Sequence, residues 1–366
     1  MLLDQLIGQE RATTVLRNAI RRGRVAHAYL FRGPESVGKS TAALLFAQYL
    51  NCEAIRAGED GRACGRCRSC RLIEKRSHPD VRFLTPSDDS DQSVIPIERI
   101  REEFVYDVNL RPVIGRYKIY VIDPADRTAP LAIHTVLKAL EEPPRYTVIV
   151  LVTSVPASLP PTIPSRCQQI AFQLAGTDAV EQHLLTLALD PAEAASLARL
   201  SGGRIAWAIR AAQRPEVLAA RRNLLDLCAG LKERGLPGSL RAAEEIKLQA
   251  AGLARAAVEA GSDSSAEEDT SGVGTAAVGE RAVRGELPWC LDVIVSWYRD
   301  LLAAGQGGSL LNPDYKSALG QEVGTAACRR AERAIERILA TRRAIQRNAN
   351  LDLALESLAI ELVGGE

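Results

Sequence analysis

AHAYLFRGPESVGKSTAALLFAQYL (residues 26–50) decides the fold. The run 26–31 is short and apolar and reads as a strand. Residues 33–40, GPESVGKS, match the pattern G-x-x-x-x-G-K-[ST]. The next ten residues, TAALLFAQYL, read as a helix. Strand, glycine-rich turn and helix is the order a phosphate-binding loop requires. Gly33 and Gly38 let backbone N–H groups close around phosphate oxygens at a helix N-terminus, where negative charge is favoured. Lys39 is placed to reach the β and γ phosphates. Ser40, with Thr41 beside it, is placed to hold Mg²⁺. The pattern points to ATP or ADP with Mg²⁺.

Outward from this loop, strands and helices alternate. Residues 11–22 carry apolar groups at helical spacing. VRFLTP (81–86), YKIYVID (117–123), YTVIVLVTS (146–154) and CQQIAFQ (167–173) read as further strands. IERIREEFVYDVNL (97–110) and APLAIHTVLKALEEPP (129–144) read as helices between them. This alternation predicts a parallel α/β sheet. Beyond about residue 174 the strands stop. Short helices with a GGR turn at 202–204 are followed by long helices to the end, with a break near 348–350. Residues 261–280 hold no Leu, Ile or aromatic and predict a flexible insertion.

The third strand ends at Asp123, an acid suited to orient Mg²⁺ through water. ATPases of this kind place a Glu next, to activate the attacking water. Here the next residue is Pro124, which has no acid. Asp126 is near in sequence, but its offset makes it a poor substitute. The expectation is nucleotide binding without efficient intrinsic turnover.

Four of the eight cysteines crowd together. Cys52, Cys64, Cys67 and Cys70 are spaced C-x₁₁-C-x₂-C-x₂-C. Clustered cysteines read as metal ligands in a reducing compartment, and scattered ones as small core residues. Four thiolates suit tetrahedral Zn²⁺. Iron–sulfur clusters use related runs, but Arg66, Arg68 and the lack of a Cys-Pro run favour zinc. With no open position, the zinc is structural. The histidines at 27, 78, 134 and 183 are isolated and read as packed or surface residues.

The chain has 366 residues, 46% hydrophobic, with a net charge of +1. That is enough for two or three domains, and no global field draws it to nucleic acid. No run of about 18 apolar residues predicts a membrane span. The start lacks a signal-peptide pattern, so a cytoplasmic location is expected.

The ordered set GQE (8–10), HAYLF (27–31), the P-loop, the four-Cys module, YKIYVID, VLKALEEPP (136–144), the VTS strand end and PTIPSRC (161–167) closely resembles bacterial DNA polymerase III clamp-loader subunits of the AAA+ class. The similarity runs over roughly residues 5–210. It implies an α/β P-loop AAA+ core with a parallel sheet and zinc knuckle over 1–173, an all-α lid over 174–212, and an all-α collar over 213–366. Within that family, tau/gamma subunits carry an Asp-Glu pair where this chain has Asp123-Pro124. An Asp, a variable residue and an Ala-Asp pair is the delta-prime pattern. The length, WYRDLL (297–302) and NANLDLALESL (348–358) are also delta-prime-like.

The resemblance further implies residue roles. Gln9, with Leu6 and Ile7, lines an adenine pocket. Thr153 or Ser154 is the sensor at the strand end, the pattern leaving the two open. Arg204 takes the place of a lid sensor. Arg166 of the SRC tripeptide is an arginine finger offered in trans to a neighbour's γ-phosphate. The implied partners are tau/gamma and delta subunits in a hetero-pentameric ring, the sliding clamp and primed DNA. Two other functions compete: a tau/gamma-type motor ATPase, and a zinc-containing nucleic-acid-binding protein with structural ATP. Near-neutral charge and the lack of an aromatic–basic surface pattern argue against the last.

Overall fold

The computed structural model describes the chain except residues 1–2, 4–5, 57–62, 87–93, 232–233, 263–278, 323 and 365–366. Most of the 261–280 segment therefore lies outside the described residues. The chain divides into two compact units: Met1–His183 with Ser201–Ala208, and Leu184–Leu200 with Ile209–Glu366.

The first unit is built on a five-stranded parallel sheet. Its strands are β1 (Ala28–Arg32), β2 (Val81–Leu84), β3 (Lys118–Ile122), β4 (Thr147–Thr153) and β5 (Gln168–Ala171). The spatial order is β2-β3-β4-β1-β5, so β1 lies between β4 and β5. All five were expected from the sequence, the inner ones as apolar runs, while β5, with Gln168 and Gln169 exposed, is an edge strand. Parallel strands are covered on both faces and read as near-continuous hydrophobic stretches. β3 and β4 are buried along their whole length. β-branched Val148, Ile149, Val150 and Val152 fit such a pleated, two-sided surface.

The period of two sorts these strands between two cores. Tyr29, Phe31, Val148, Val150 and Val152 face one core with α1 (Glu10–Arg21) and α2 (Lys39–Asn51). Ala28, Leu30, Ile149 and Leu151 face the other with α6 (Pro130–Glu141). Between them in sequence come α3 (Glu53–Arg56), α4 (Arg68–Glu74) and α5 (Ile97–Ile100). In the first core, Tyr29 meets Phe46 edge-on at 4.9 Å and Phe31 meets Phe172 at 5.2 Å. Such ring pairs contribute about 0.5–1.5 kcal/mol each beyond their burial.

The helix expected over 97–110 is shorter. α5 passes at Arg101 into one wider turn that ends at Val105. The chain is then drawn off the helix by side chains of the sheet. The Lys118 ammonium donates to the Asp107 carboxylate, Tyr120 Oη donates to it at 2.7 Å, and Tyr146 Oη donates to the Asn109 carbonyl at 2.6 Å.

α7 (Thr162–Arg166), α8 (Thr177–Leu185), α9 (Pro191–Ser201) and α10 (Ile205–Ala212) follow β4 and β5. The second unit is helical, with α11 (Pro215–Gly230), α12 (Gly235–Ser262), α13 (Glu280–Gly305), α14 (Lys316–Glu322), α15 (Thr325–Gln346) and α16 (Leu351–Gly364). The expected break near 348–350 is present, with Asn348 left-handed at φ 64°. A buried polar network fixes the loop after α13. Asp300, fully buried, accepts from the amides of Leu311 (2.8 Å) and Asn312 (2.6 Å). Arg221, 3% exposed, donates to both Asp314 oxygens at 2.7 and 2.8 Å and to Asn312 at 2.8 Å. Buried charges persist only when partnered in this way.

Candidate nucleotide and metal sites

The loop between β1 and α2 has the backbone geometry that the phosphate-binding pattern calls for. Gly33 has φ 150°, and a Cβ there would lie 2.3 Å from the Phe172 carbonyl oxygen, so no side chain fits. Gly38 is left-handed at φ 98° and begins α2. No side chain caps α2, and its first turn holds no acid. Its leading N–H groups are thus left for an anion.

Lys39 is 7% exposed, and its ammonium donates to the carbonyls of Gly33 (2.8 Å) and Pro34 (2.6 Å). Burial lowers its pKa, opposed by the charges of Asp123, Glu35 and Asp126. Asp123 stands at the end of β3. Burial raises its pKa, while a hydrogen bond from Ser40 and the charges of Lys39 and Arg76 oppose the rise. Ser40, Lys39 and Asp123 are thus brought together, and Thr41 follows on the same helical turn. A hydroxyl and a carboxylate side by side suit Mg²⁺. Pro124 leaves the following position without an acid.

Gln9 is buried, and its amide is fully engaged. Nε2 donates to the carbonyls of Gln173 (2.7 Å) and Val37 (3.4 Å), and Oε1 accepts from the Gln173 amide at 3.1 Å. It ties the segment before α1 to the P-loop and the end of β5. Leu6 lies close to Gly38, its Cδ2 3.8 Å from where a Cβ would stand.

The GGR turn reaches the same loop. The Ala206 amide donates to the Ser36 carbonyl at 2.9 Å, and the Ala175 amide to the Gly203 carbonyl at 2.9 Å. Arg204, exposed, is carried between these two contacts.

Sequence reasoning set Asp126 aside, yet the geometry brings it in. A single 3₁₀ turn, Ala125–Arg127, returns its carboxylate to the tip of β4. Oδ1 accepts from the Thr153 hydroxyl at 2.5 Å and the Ser154 amide at 3.2 Å. Ser154 Oγ lies 3.5 Å from Glu35 Oε1 of the P-loop. Only the spacing D-x-x-D hinted at this, and spacing alone did not say which way the turn runs.

Arg166 ends α7. Its guanidinium lies 2.9 Å from Glu141 of α6 and donates to the Thr162 carbonyl (3.2 Å) and Ser165 Oγ (3.4 Å). Its side chain stays 37% exposed.

The four cysteines converge. The sulfurs of Cys52, Cys64, Cys67 and Cys70 all lie within 4.8 Å of one another. A zinc tetrahedron with 2.3 Å bonds has edges of about 3.8 Å, so the set fits. Cys52 closes α2, and Cys67 begins α4. Amides point at the sulfurs: Cys64 N–H to Cys52 (3.3 Å), Cys67 N–H to Cys64 (3.2 Å) and Cys70 N–H to Cys67 (3.4 Å). Burial works to raise the Cys64 thiol, but the amides of Arg66 and Cys67 bring it down to about 7. Such donors orient metal-bound thiolates. His78 is not among them. Its Nδ1 accepts from the Asp80 amide at 3.0 Å, so Nε2 donates to Ser69 Oγ at 2.8 Å. Among the described residues no helix is long and apolar enough to cross a membrane.

Residues 8–175 match the family described as DNA polymerase III, delta subunit. The Bacillus subtilis DNA polymerase III subunit delta-prime is 34% identical over 226 residues, covering 62% of this chain and 66% of its own length. The Haemophilus influenzae tau/gamma subunit is 37% identical over 179 residues, covering 49% of this chain and 25% of its own length. The chain therefore spans between a quarter and about two thirds of these relatives. A solved gamma-subunit-related protein from Thermotoga maritima aligns over 95% of the chain and 98% of its own length, at 15% identity and TM-score 0.41. Taken with the P-loop and the four-cysteine cluster, the sequence matches show that the chain belongs to the delta-prime and tau/gamma family of DNA polymerase III clamp-loader subunits.

Proposed function

We propose that this chain is a delta-prime-type subunit that holds nucleotide statically and donates Arg166 to the ATP site of an adjacent motor subunit. The observation that carries the reading is Pro124 in an otherwise complete site. Lys39, Ser40 and Asp123 stand together, and the next position has no acid to activate water. Arg166 supports it from the other side: it lies on the surface, in a weak and exchangeable ion pair. An arginine supplied in trans stabilises transition-state charge on a transferring phosphoryl group.

In this reading 1–173 is the ATPase core, 174–212 the lid and 213–366 the collar. Tau/gamma and delta subunits complete the ring that loads the sliding clamp on primed DNA. Gly33, Gly38 and Lys39 hold the phosphates, Ser40 and Asp123 hold Mg²⁺, and Arg204 approaches the phosphates from the lid. Bound Mg²⁺ would neutralise phosphate charge, and bound zinc would crosslink the Cys52–Cys70 segment.

The test is kinetic. The purified chain alone should turn over ATP poorly, with or without primed DNA. Added to partner subunits and clamp, it should support DNA-stimulated turnover. Arg166→Ala should then slow the ring far more than Lys39→Ala. A vigorous lone ATPase, or equal effects of the two substitutions, would favour the motor type instead.

A further inference from the structure

We infer that Asp126 makes this P-loop selective for a nucleoside diphosphate over the triphosphate, a reading that rests on the nucleotide-binding part of the proposed function. The argument begins at the tip of β4. Thr153 pairs in register with Arg32, the last residue before the P-loop, and is fully buried. A threonine hydroxyl has one proton to give. Here it goes to Asp126 Oδ1 at 2.5 Å, while the oxygen accepts from the Val155 amide at 3.0 Å. The orientation of that hydroxyl is therefore fixed from both sides.

The neighbouring donors have the same fate. The Ser154 amide also goes to Asp126, and Ser154 Oγ is 3.5 Å from the Glu35 carboxylate. The donors that β4 presents beside the phosphate loop are thus answered by carboxylates of this chain. A terminal phosphate would have to displace a charge-assisted hydrogen bond to win any of them. It would also bring further negative charge to a place where Asp123, Asp126 and Glu35 already act on the single ammonium of Lys39. A diphosphate avoids both penalties. It needs only the loop amides, Lys39 and a metal at Ser40 and Asp123.

The experiment is calorimetric titration of the full chain with ADP and with ATP, both with Mg²⁺. The wild type should bind ADP about 10-fold or more tighter than ATP. Thr153→Val should leave ATP affinity nearly unchanged, because its donor is already engaged, and Thr153→Ser serves as the hydroxyl-retaining control. Asp126→Asn removes the charge and Asp126→Ala also frees the Thr153 hydroxyl; both should raise ATP affinity relative to ADP, Asp126→Ala by about 10-fold, and adding Thr153→Val to Asp126→Ala should cancel the part of that gain that comes from the freed hydroxyl. Tighter binding of ATP than ADP by the wild type overturns the inference. So does a selective loss of ATP affinity in Thr153→Val, which does not depend on how Asp126→Asn folds. Binding of neither nucleotide overturns it together with the nucleotide-binding reading. Co-sedimentation with tau/gamma subunits then scores the rest of the proposed function separately.

Discussion

Glu141 holds Arg166 at 2.9 Å, joining the end of the LEEPP helix to the end of the SRC helix. Both side chains are substantially exposed, 52% and 37%. Exposed pairs of this kind contribute about 0–1 kcal/mol. The contact orients the guanidinium without locking it. Glu141→Gln should therefore shift the unfolding free energy by less than about 1 kcal/mol, measured by urea titration. In an assembled ring it should preserve ATP turnover, whereas Arg166→Ala should lower turnover by about 10³-fold or more. A Glu141→Gln ring as slow as the Arg166→Ala ring would mean that the pair itself is required.

Asp80 is the fixed point of the loop before β3. It is 2% exposed and accepts from the amides of Val113 (2.7 Å), Ile114 (2.9 Å) and Gly115 (2.7 Å). Burial alone would raise its pKa, but these three amides hold the carboxyl below the usual carboxylate range. Asp80→Asn replaces one acceptor oxygen with a donor facing N–H groups. It should destabilise the chain by about 2–4 kcal/mol at neutral pH. The sign with pH follows from the lowered value. As pH falls below about 4, the unfolded chain takes up the proton first, so this stabilisation shrinks. Melting curves of wild type and Asp80→Asn should differ widely at pH 7 and converge toward pH 3.

The four-cysteine cluster should carry about one zinc ion per chain and no visible absorption from iron. Removing the metal with a chelator should lower the melting temperature and open the Cys52–Cys70 segment to proteolysis. Cys70→Ser should reproduce that loss, since Cys70 is fully buried within the cluster. Cys167→Ser is the contrast. Cys167 stands outside the cluster, its thiol pushed up to about 12 by burial alone. It should leave metal content unchanged in elemental analysis.

The features legible in the sequence were the local ones. The P-loop, the cysteine spacing and the apolar strands each lie within a few residues of chain, where sterics and periodicity act directly. The contacts that the sequence hid are joined only by the sheet order. Thr153 meets Asp126 because β3 and β4 are neighbours, across 27 residues of chain. Gln9, expected to line an adenine pocket, meets Gln173 across 164 residues, a bracing contact that no local pattern announces. The helix from 97 shortened for the same reason: Asp107 was claimed by Lys118 and Tyr120, a strand away.

The turn that carries Arg204 is packed tightly beside the P-loop. Gly203 has φ 84°, and a Cβ there would lie 2.4 Å from the Ala175 carbonyl oxygen and 2.9 Å from Leu174 Cβ. The first obstacle is backbone, so it cannot swing aside. The Ala175 amide also donates to the Gly203 carbonyl at 2.9 Å, which pins the two strands of the turn together. Gly203→Ala therefore meets two penalties at once, a left-handed backbone that alanine resists and a steric clash. It should destabilise the chain by about 2 kcal/mol or more, read as a lowered melting temperature. Gly202 is the internal control. It is also left-handed at φ 54°, but a Cβ there meets nothing within 4 Å. Gly202→Ala should have only the conformational penalty, about 1 kcal/mol. The same turn sets the contact from Ala206 to Ser36, so Gly203→Ala should also weaken nucleotide binding more than Gly202→Ala does. Equal effects of the two substitutions, in melting and in titration with ADP, would show that crowding against Ala175 does not shape this side of the site.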